Sequence, residues 1–137
     1  MTKTEIRNFI QSIADVKVTF SKSGWWYDNE REVINVDLTD FNDMGFMRHL
    51  HEVHKCEFAY EYSLTLWSIL HEIGHYYTLD DIEDDEDDRI ALMLTTSEIA
   101  DNEKVQDRYF NMPSEWVATE WAINFIKHNK KNMPSYL

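Results

Sequence analysis

The sequence His71-Glu72-Ile73-Gly74-His75 follows directly on the apolar run Leu64-Thr65-Leu66-Trp67-Ser68-Ile69-Leu70, and this pairing constrains the chain more than any other stretch. On an α-helix, residues four apart lie about 40° from eclipsed, so the two imidazoles leave one face a turn apart. That spacing is a two-point grip for one metal ion. Neutral imidazole suits Zn²⁺, and Glu72, next to the first histidine, can reach a metal-activated water as general base. Leu64, Leu66, Trp67, Ile69, Leu70 and Ile73 make the predicted helix, about Tyr60 to Tyr77, apolar on nearly every side. Such a helix is buried at the centre of its domain. A glycine within it, Gly74, costs about 1 kcal/mol relative to alanine. It points to a close approach by neighbouring backbone or to a simple packing accommodation.

A chain of 137 residues with 43% hydrophobic content is long enough for one core and short for two, so residues 1–137 are expected to form a single domain. An N-terminal h-region with a basic flank and cleavage site is not seen, and no apolar run approaches the ~20 residues that span a bilayer. Cytoplasmic residence is the expectation, and the single Cys56, unable to form an internal disulfide, agrees with a reducing compartment. A net charge of −13 repels phosphate backbones and anionic lipid, which argues against nucleic acid and membrane as direct partners. Lys127, Lys130 and Lys131 near the C-terminus read as helix-end charges that suit the dipole. The same acidity favours a basic protein or a positively charged peptide segment.

Along the chain, Thr2 and Glu5 have the spacing of a capping box, and Ile6, Phe9, Ile10 and Ile13 repeat with helical period, predicting an amphipathic helix over 2–14. Three strand-like pieces follow, Val16 to Phe20, Trp25 to Tyr27 and Val33 to Leu38, expected as an antiparallel meander. In the last of them Ile34, Val36 and Leu38 share one face and Val33, Asn35 and Asp37 the other, the pattern of a sheet packed on helices through one face. Asp40, Asn42 and Asp43 suggest a loop before a short helix near Phe46 to His54. The group His49, His51, His54 and Cys56 matches no closed tetrahedral metal framework, so these histidines read as surface residues.

The acidic run 80–88 reads as a solvated loop, lacking the ligand spacing, the Gly and the terminal Glu of an EF-hand. Residues 90 to 110 look helical, with Thr95-Thr96-Ser97 as a possible break. Ser114 is the expected N-cap of a final helix, Glu115 to about His128.

Two histidines leave a catalytic zinc site one protein ligand short. The candidates by type are Glu98, Glu103, Glu115, Glu120 and His128. Glu115 lies above Ala118, Thr119, Ala122 and Ile126, a small and apolar stripe that lets this helix lie close to the motif helix with the carboxylate inward. Glu120 shares its stripe with Ile123, Asn124 and Lys127 and looks more solvated. Glu115 is the preferred third ligand, with Glu120 the alternative.

The stretch Trp67-Ser68-Ile69-Leu70-His71-Glu72-Ile73-Gly74-His75-Tyr76-Tyr77 resembles the F-T-x-A-H-E-L-G-H-Y signature of the ImmA/IrrE-type metallopeptidases. Glu115-Trp116-Val117-Ala118-Thr119-Glu120-Trp121-Ala122 resembles their downstream E-x-x-A-x-x-F-A helix, and the order of elements fits over nearly the whole chain. The resemblance implies a minimal zincin-like α+β domain, a gluzincin-type zinc site and cytosolic proteolysis of regulatory proteins, often phage or mobile-element repressors. The family's L-L-M-P usually follows its Glu helix quickly, whereas Met133-Pro134 comes late here, at a spacing that would fit Glu120 nearly as well.

These residues predict peptide-bond hydrolysis, with His71, His75 and Glu115 holding Zn²⁺ and Glu72 as base. An oxyanion donor would be needed beside the metal, and Tyr76, Tyr77, Tyr109 and His128 are available by type. Two other readings remain. One is an acidic interaction protein, such as a phage-borne DNA mimic, which the net charge favours and the clustering of acid in 80–88 opposes. The other is a degenerate zincin with structural zinc, for which an intact Glu72 has no use.

Overall fold

The computed structural model describes residues 2–39, 44–79 and 103–135. The chain opens as its capping pattern requires. The Thr2 hydroxyl accepts from the Glu5 amide at 3.1 Å, and the Glu5 carboxylate accepts from the Thr2 amide at 3.2 Å. This reciprocal cap starts α1 (Lys3–Ile13), whose Ile6 and Ile10 are fully buried.

Strands β1 (Lys17–Phe20), β2 (Trp26–Asp28) and β3 (Val33–Val36) form one sheet in the order β1-β3-β2. β2 pairs antiparallel with β3, but β1 runs parallel to it, so the sheet is mixed and the expected antiparallel meander is corrected. The cause is the connection between β1 and β2. Instead of a tight hairpin, residues 21–24 cross the polar face of β3. There Asn35 donates to the Gly24 carbonyl at 2.7 Å and accepts from the hydroxyls of Thr19 and Ser21 at 2.8 and 2.9 Å. Asp37 accepts from the Gly24 amide at 3.0 Å. The buried polar side chains of Asn35 in β3 and of Asp37 just after it thus satisfy a loop that would otherwise leave backbone groups unpaired, and they carry the chain to the far edge. Ile34 and Val36, on the opposite face, enter the helical core.

After α2 (Met44–Glu52) and a 3₁₀ turn (Ala59–Glu61), Ser63 caps α3 (Leu64–Thr78), its hydroxyl accepting from the Leu66 amide at 3.1 Å. The motif helix therefore starts later than the apolar pattern indicates. Leu66, Trp67, Ile69, Leu70 and Ile73 are all essentially inaccessible, and the Trp67 indole donates to the Ala59 carbonyl at 2.8 Å. Two more helices complete the described fold, α4 (Glu103–Phe110) and α5 (Pro113–Asn129). The last begins on Met112 as N-cap with Pro113 in the first turn, not on Ser114, because proline's missing amide is one of those a helix start leaves unbonded anyway. Among the described residues this is a small α+β fold of five α-helices and a three-stranded mixed sheet. No described helix is long and apolar enough to cross a membrane. The acidic run 80–88, the helix expected from residue 90, the possible break at Thr95-Thr96-Ser97 and the loop residues Asp40, Asn42 and Asp43 lie outside the described residues.

α3 packs against α5 along the small-residue stripe, and Ala118, Thr119, Ala122 and Ile126 are fully buried. At their closest point a Cβ placed on Gly74 would stand 2.4 Å from the Ala118 carbonyl oxygen and 3.0 Å from its Cα. Both are backbone atoms, so the helices themselves would have to part. Gly74→Ala is expected to destabilise the fold by a net ~1–2 kcal/mol, because overpacking against backbone outweighs the gain in helix propensity that alanine brings. A lower urea midpoint at unchanged slope would show this, and a midpoint equal to or above wild type would refute the close approach.

Candidate metal centre

Helix geometry places His71 and His75 a turn apart on α3, with ring centroids 4.7 Å apart and nearly perpendicular. Phe46 of α2 meets the His71 ring edge-on at 5.2 Å and limits its rotation. Across the α3–α5 contact, Glu115 in the first turn of α5 brings Oε2 to 2.6 Å from His71 Nε2 and 3.3 Å from His75 Nε2. The ligand-type atoms of His71, Glu72 and His75 lie within 4.8 Å of one another.

Thr119 decides how His71 presents itself. Its hydroxyl donates to the Glu115 carbonyl at 2.9 Å and has only that one proton, so it accepts from His71 Nδ1–H at 3.0 Å. In the neutral ring Nε2 then carries the lone pair and points it at a carboxylate oxygen. Two electron pairs cannot face each other at 2.6 Å without a proton or a cation between them. Comparison with protein-family models, characterised proteins and solved structures gives no match. The arrangement therefore has to be judged on its own chemistry. Two imidazoles and one carboxylate are a donor set that suits zinc, and a tetrahedral ion with bonds of ~2.1 Å needs donor atoms roughly 3.4 Å apart. The 3.3 Å separation meets this, while 2.6 Å is that of a hydrogen bond. The donor set fits a metal.

Electrostatics separates the two carboxylates. Burial is the largest effect on Glu115 and would raise its pKa, but the charges of His75 and His71 and the hydrogen bonds from both together outweigh it, holding the group far below the usual carboxylate range. Glu72, 6% exposed, is shifted the other way: burial raises it, with the two histidines offsetting and Glu115 reinforcing. Glu115 is thus held as an anion and Glu72 is primed to take up a proton.

Of the remaining sequence candidates, Glu120 is 41% exposed at its side chain and accepts from His54 Nδ1 at 2.9 Å, away from the His71–His75 pair. His128 is exposed and bonds the Asn124 carbonyl at 2.8 Å. Glu98 and the side chain of Glu103 lie outside the described residues. Of the oxyanion candidates, Tyr109 has its hydroxyl 3.5 Å from Glu115 Oε1, whereas Tyr77 stacks on Trp121 and bonds the Ile13 carbonyl, and Tyr76 packs on Tyr27. In the sequence Thr119 reads only as a small stripe residue. Its place four residues after Glu115, over that carbonyl, was the available signal.

His49 and His54 are a correction, since both side chains are buried instead of lying at the surface. His54 stacks on Trp116 at 3.9 Å, and His49 sits 4.9 Å from His54 and bonds Asn111 at 3.0 Å. His49 Nδ1 and His54 Nε2 have no hydrogen-bond partner among the described residues. Burial, the largest cause, lowers both pKa values. Asn111 and Asp107 partly offset this for His49, and Glu120 does for His54, while the mutual charge on His49, Arg48 beside it and His71 near His54 add to it. With folded values below the unfolded ~6.5, the unfolded chain binds more protons in acid. Their contribution is complete above about pH 6.5 and is lost as pH falls through the folded values, by up to ~1.4 kcal/mol per pH unit per proton. Thermal melts of metal-free protein at pH 7.5 and 5.5 should show a steeper acid loss in wild type than in His49→Gln/His54→Gln. Equal slopes would contradict the neutral, buried assignment.

Proposed function

We propose that this chain is a zinc-dependent peptidase, and the observation that carries the reading is the convergence of His71, His75 and Glu115 beside a buried Glu72. The two imidazoles and the Glu115 carboxylate would hold the ion. When bound, zinc supplies Lewis acidity, polarising a carbonyl and acidifying water. Glu72 accepts a proton from the attacking water and returns it to the leaving amine, a task that its raised pKa suits. Thr119 fixes the tautomer of His71, and Tyr109, whose hydroxyl lies 3.5 Å from Glu115 Oε1, would donate to the developing oxyanion.

A polypeptide substrate is favoured by the sheet. Among the described residues β2 is an edge strand, the position at which an extended peptide would add a strand, and Trp26 and Tyr27 line a cavity that reaches Glu72, His75 and Glu115. The resemblance to ImmA/IrrE-type enzymes points to a cytosolic regulatory protein as the substrate, and the charge of −13 favours a basic segment within it. Elemental analysis of purified protein should find about one zinc per chain. A proteome-derived peptide library read by mass spectrometry should show cleavage that chelator stops and zinc restores. A well-folded protein that takes up no zinc at neutral pH would overturn the proposal.

A further inference from the structure

We propose that Arg48 of α2 is a positioning residue for Tyr109: by gripping Asp107 it sets the angle at which α4 presents the Tyr109 hydroxyl to the metal centre. The inference rests on the peptidase reading and adds to it a control on the oxyanion donor that comes from a different helix. Arg48 Nη2 lies 2.9 Å from Asp107 Oδ1, an ion pair between residues 59 apart in sequence. Its side chains are 19% and 32% exposed, so the pair is partly shielded from salt, and its length is that of a charge-assisted hydrogen bond. The next residue of α2, His49, bonds Asn111 at 3.0 Å.

The consequence for Tyr109 follows from helix periodicity. Asp107 and Asn111 stand four apart, and the Asn111 amide donates to the Asp107 carbonyl at 2.9 Å, so both grips fall on one face of one turn. Tyr109 is two residues from each, about 200° around the axis, and leaves the opposite face. There it lines both cavities that Glu72 and Glu115 also line, with its hydroxyl 3.5 Å from Glu115 Oε1. α4 has eight residues, too few to hold an orientation without tertiary contacts. Phe110 packs on Phe46 of α2 at 5.4 Å, but apolar contact is non-directional and tolerates rotation of α4. The ion pair and the hydrogen bond fix two points and oppose that rotation. A turn of the helix would carry the Tyr109 hydroxyl, at the tip of a long side chain, away from Glu115. Misplacing a reacting group by about 1 Å costs up to about 10²-fold in rate.

Two measurements on the full-length protein test this. With meta-fluorotyrosine incorporated at position 109 alone, the fluorine resonance of metal-free protein should move on Arg48→Met and largely return on Arg48→Lys, which restores a cation beside Asp107. A resonance that Arg48→Met leaves in place would overturn the proposal, because an ion pair that only stabilises the fold does not move the Tyr109 ring. If Arg48→Met does not fold, Asp107→Asn, which removes the charge and keeps the size, carries the same expectation. In zinc-loaded protein, Arg48→Met should lower kcat for a peptide cleaved by wild type about 10- to 100-fold with KM nearly unchanged. In a Tyr109→Phe background the same change should cost nothing further, since the donor it positions is already gone. Equal losses in the two backgrounds, or a kcat that Arg48→Met does not alter, would overturn the proposal and leave the peptidase reading standing. That reading fails separately, on a well-folded protein that takes up no zinc, and the fluorine result does not depend on it.

Discussion

Glu72→Gln is expected to reduce peptide hydrolysis by about 10²- to 10⁴-fold while leaving the fold and the zinc content of wild type. The magnitude is that of losing a positioned general base. Glutamine has the size and shape of glutamate, so the helix and the cavity wall persist, and the three proposed ligands are untouched. Stability supplies a second readout. Glu72 is 6% exposed and its pKa is raised, chiefly by burial, so the folded state disfavours its charge. A neutral amide removes that penalty, and the variant should melt at or above the temperature of wild type at pH 7.5. Full turnover in the variant would exclude Glu72 as base. A variant that loses zinc together with activity would instead make Glu72 a ligand, a possibility its position within 4.8 Å of both histidine ligand atoms makes worth measuring.

The parts of this protein that were legible in the sequence are those fixed by local periodicity. Thr2 and Glu5 predict their cap because both partners lie within one turn. Gly74 marks a position whose cost within a helix needs a reason but leaves a close backbone and a simple packing accommodation equally open, and Ala118 at 2.4 Å supplies the first. The stripe Ala118, Thr119, Ala122 and Ile126 places Glu115 against the histidines by the same reasoning. Neighbour relations between strands were not legible. Alternation along Val33 to Leu38 tells which side chains share a face, but strand order depends on where residues 21–24 find hydrogen-bond partners. Asn35 and Asp37 read equally well as solvent-facing residues until the loop is seen to lie on them. His49 of α2 and His54 just beyond it were not legible for a related reason, whereas His51 is exposed as the sequence predicts. His49 and His54 look polar in sequence, and their burial depends on Trp116 and Phe110, more than fifty residues away along the chain.

Zinc affinity in Glu115→Ala and Glu120→Ala should separate these two glutamates widely, because only the first faces the imidazoles. Removing Glu115 takes away an anion 2.6 and 3.3 Å from the two Nε2 atoms and leaves an ion on two neutral rings and water. The loss should exceed the roughly 10- to 100-fold that removal of an outer hydrogen-bond partner costs a metal site. Glu120→Ala removes a 41% exposed carboxylate whose partner is His54, so zinc affinity should change by no more than a few-fold. Its effect should appear in stability, since His54 Nδ1 then loses its acceptor while the ring remains buried against Trp116. The two variants thus report on different things, one on the metal and one on the packing of α2. Affinities in the reverse order would mean that α5 presents its other stripe to α3, which the burial of Ala118, Thr119 and Ala122 opposes. If neither variant weakened zinc binding, the ion would have to be held by His71, His75 and a group other than these glutamates, and the assignment of a carboxylate-completed site on α5 would fall.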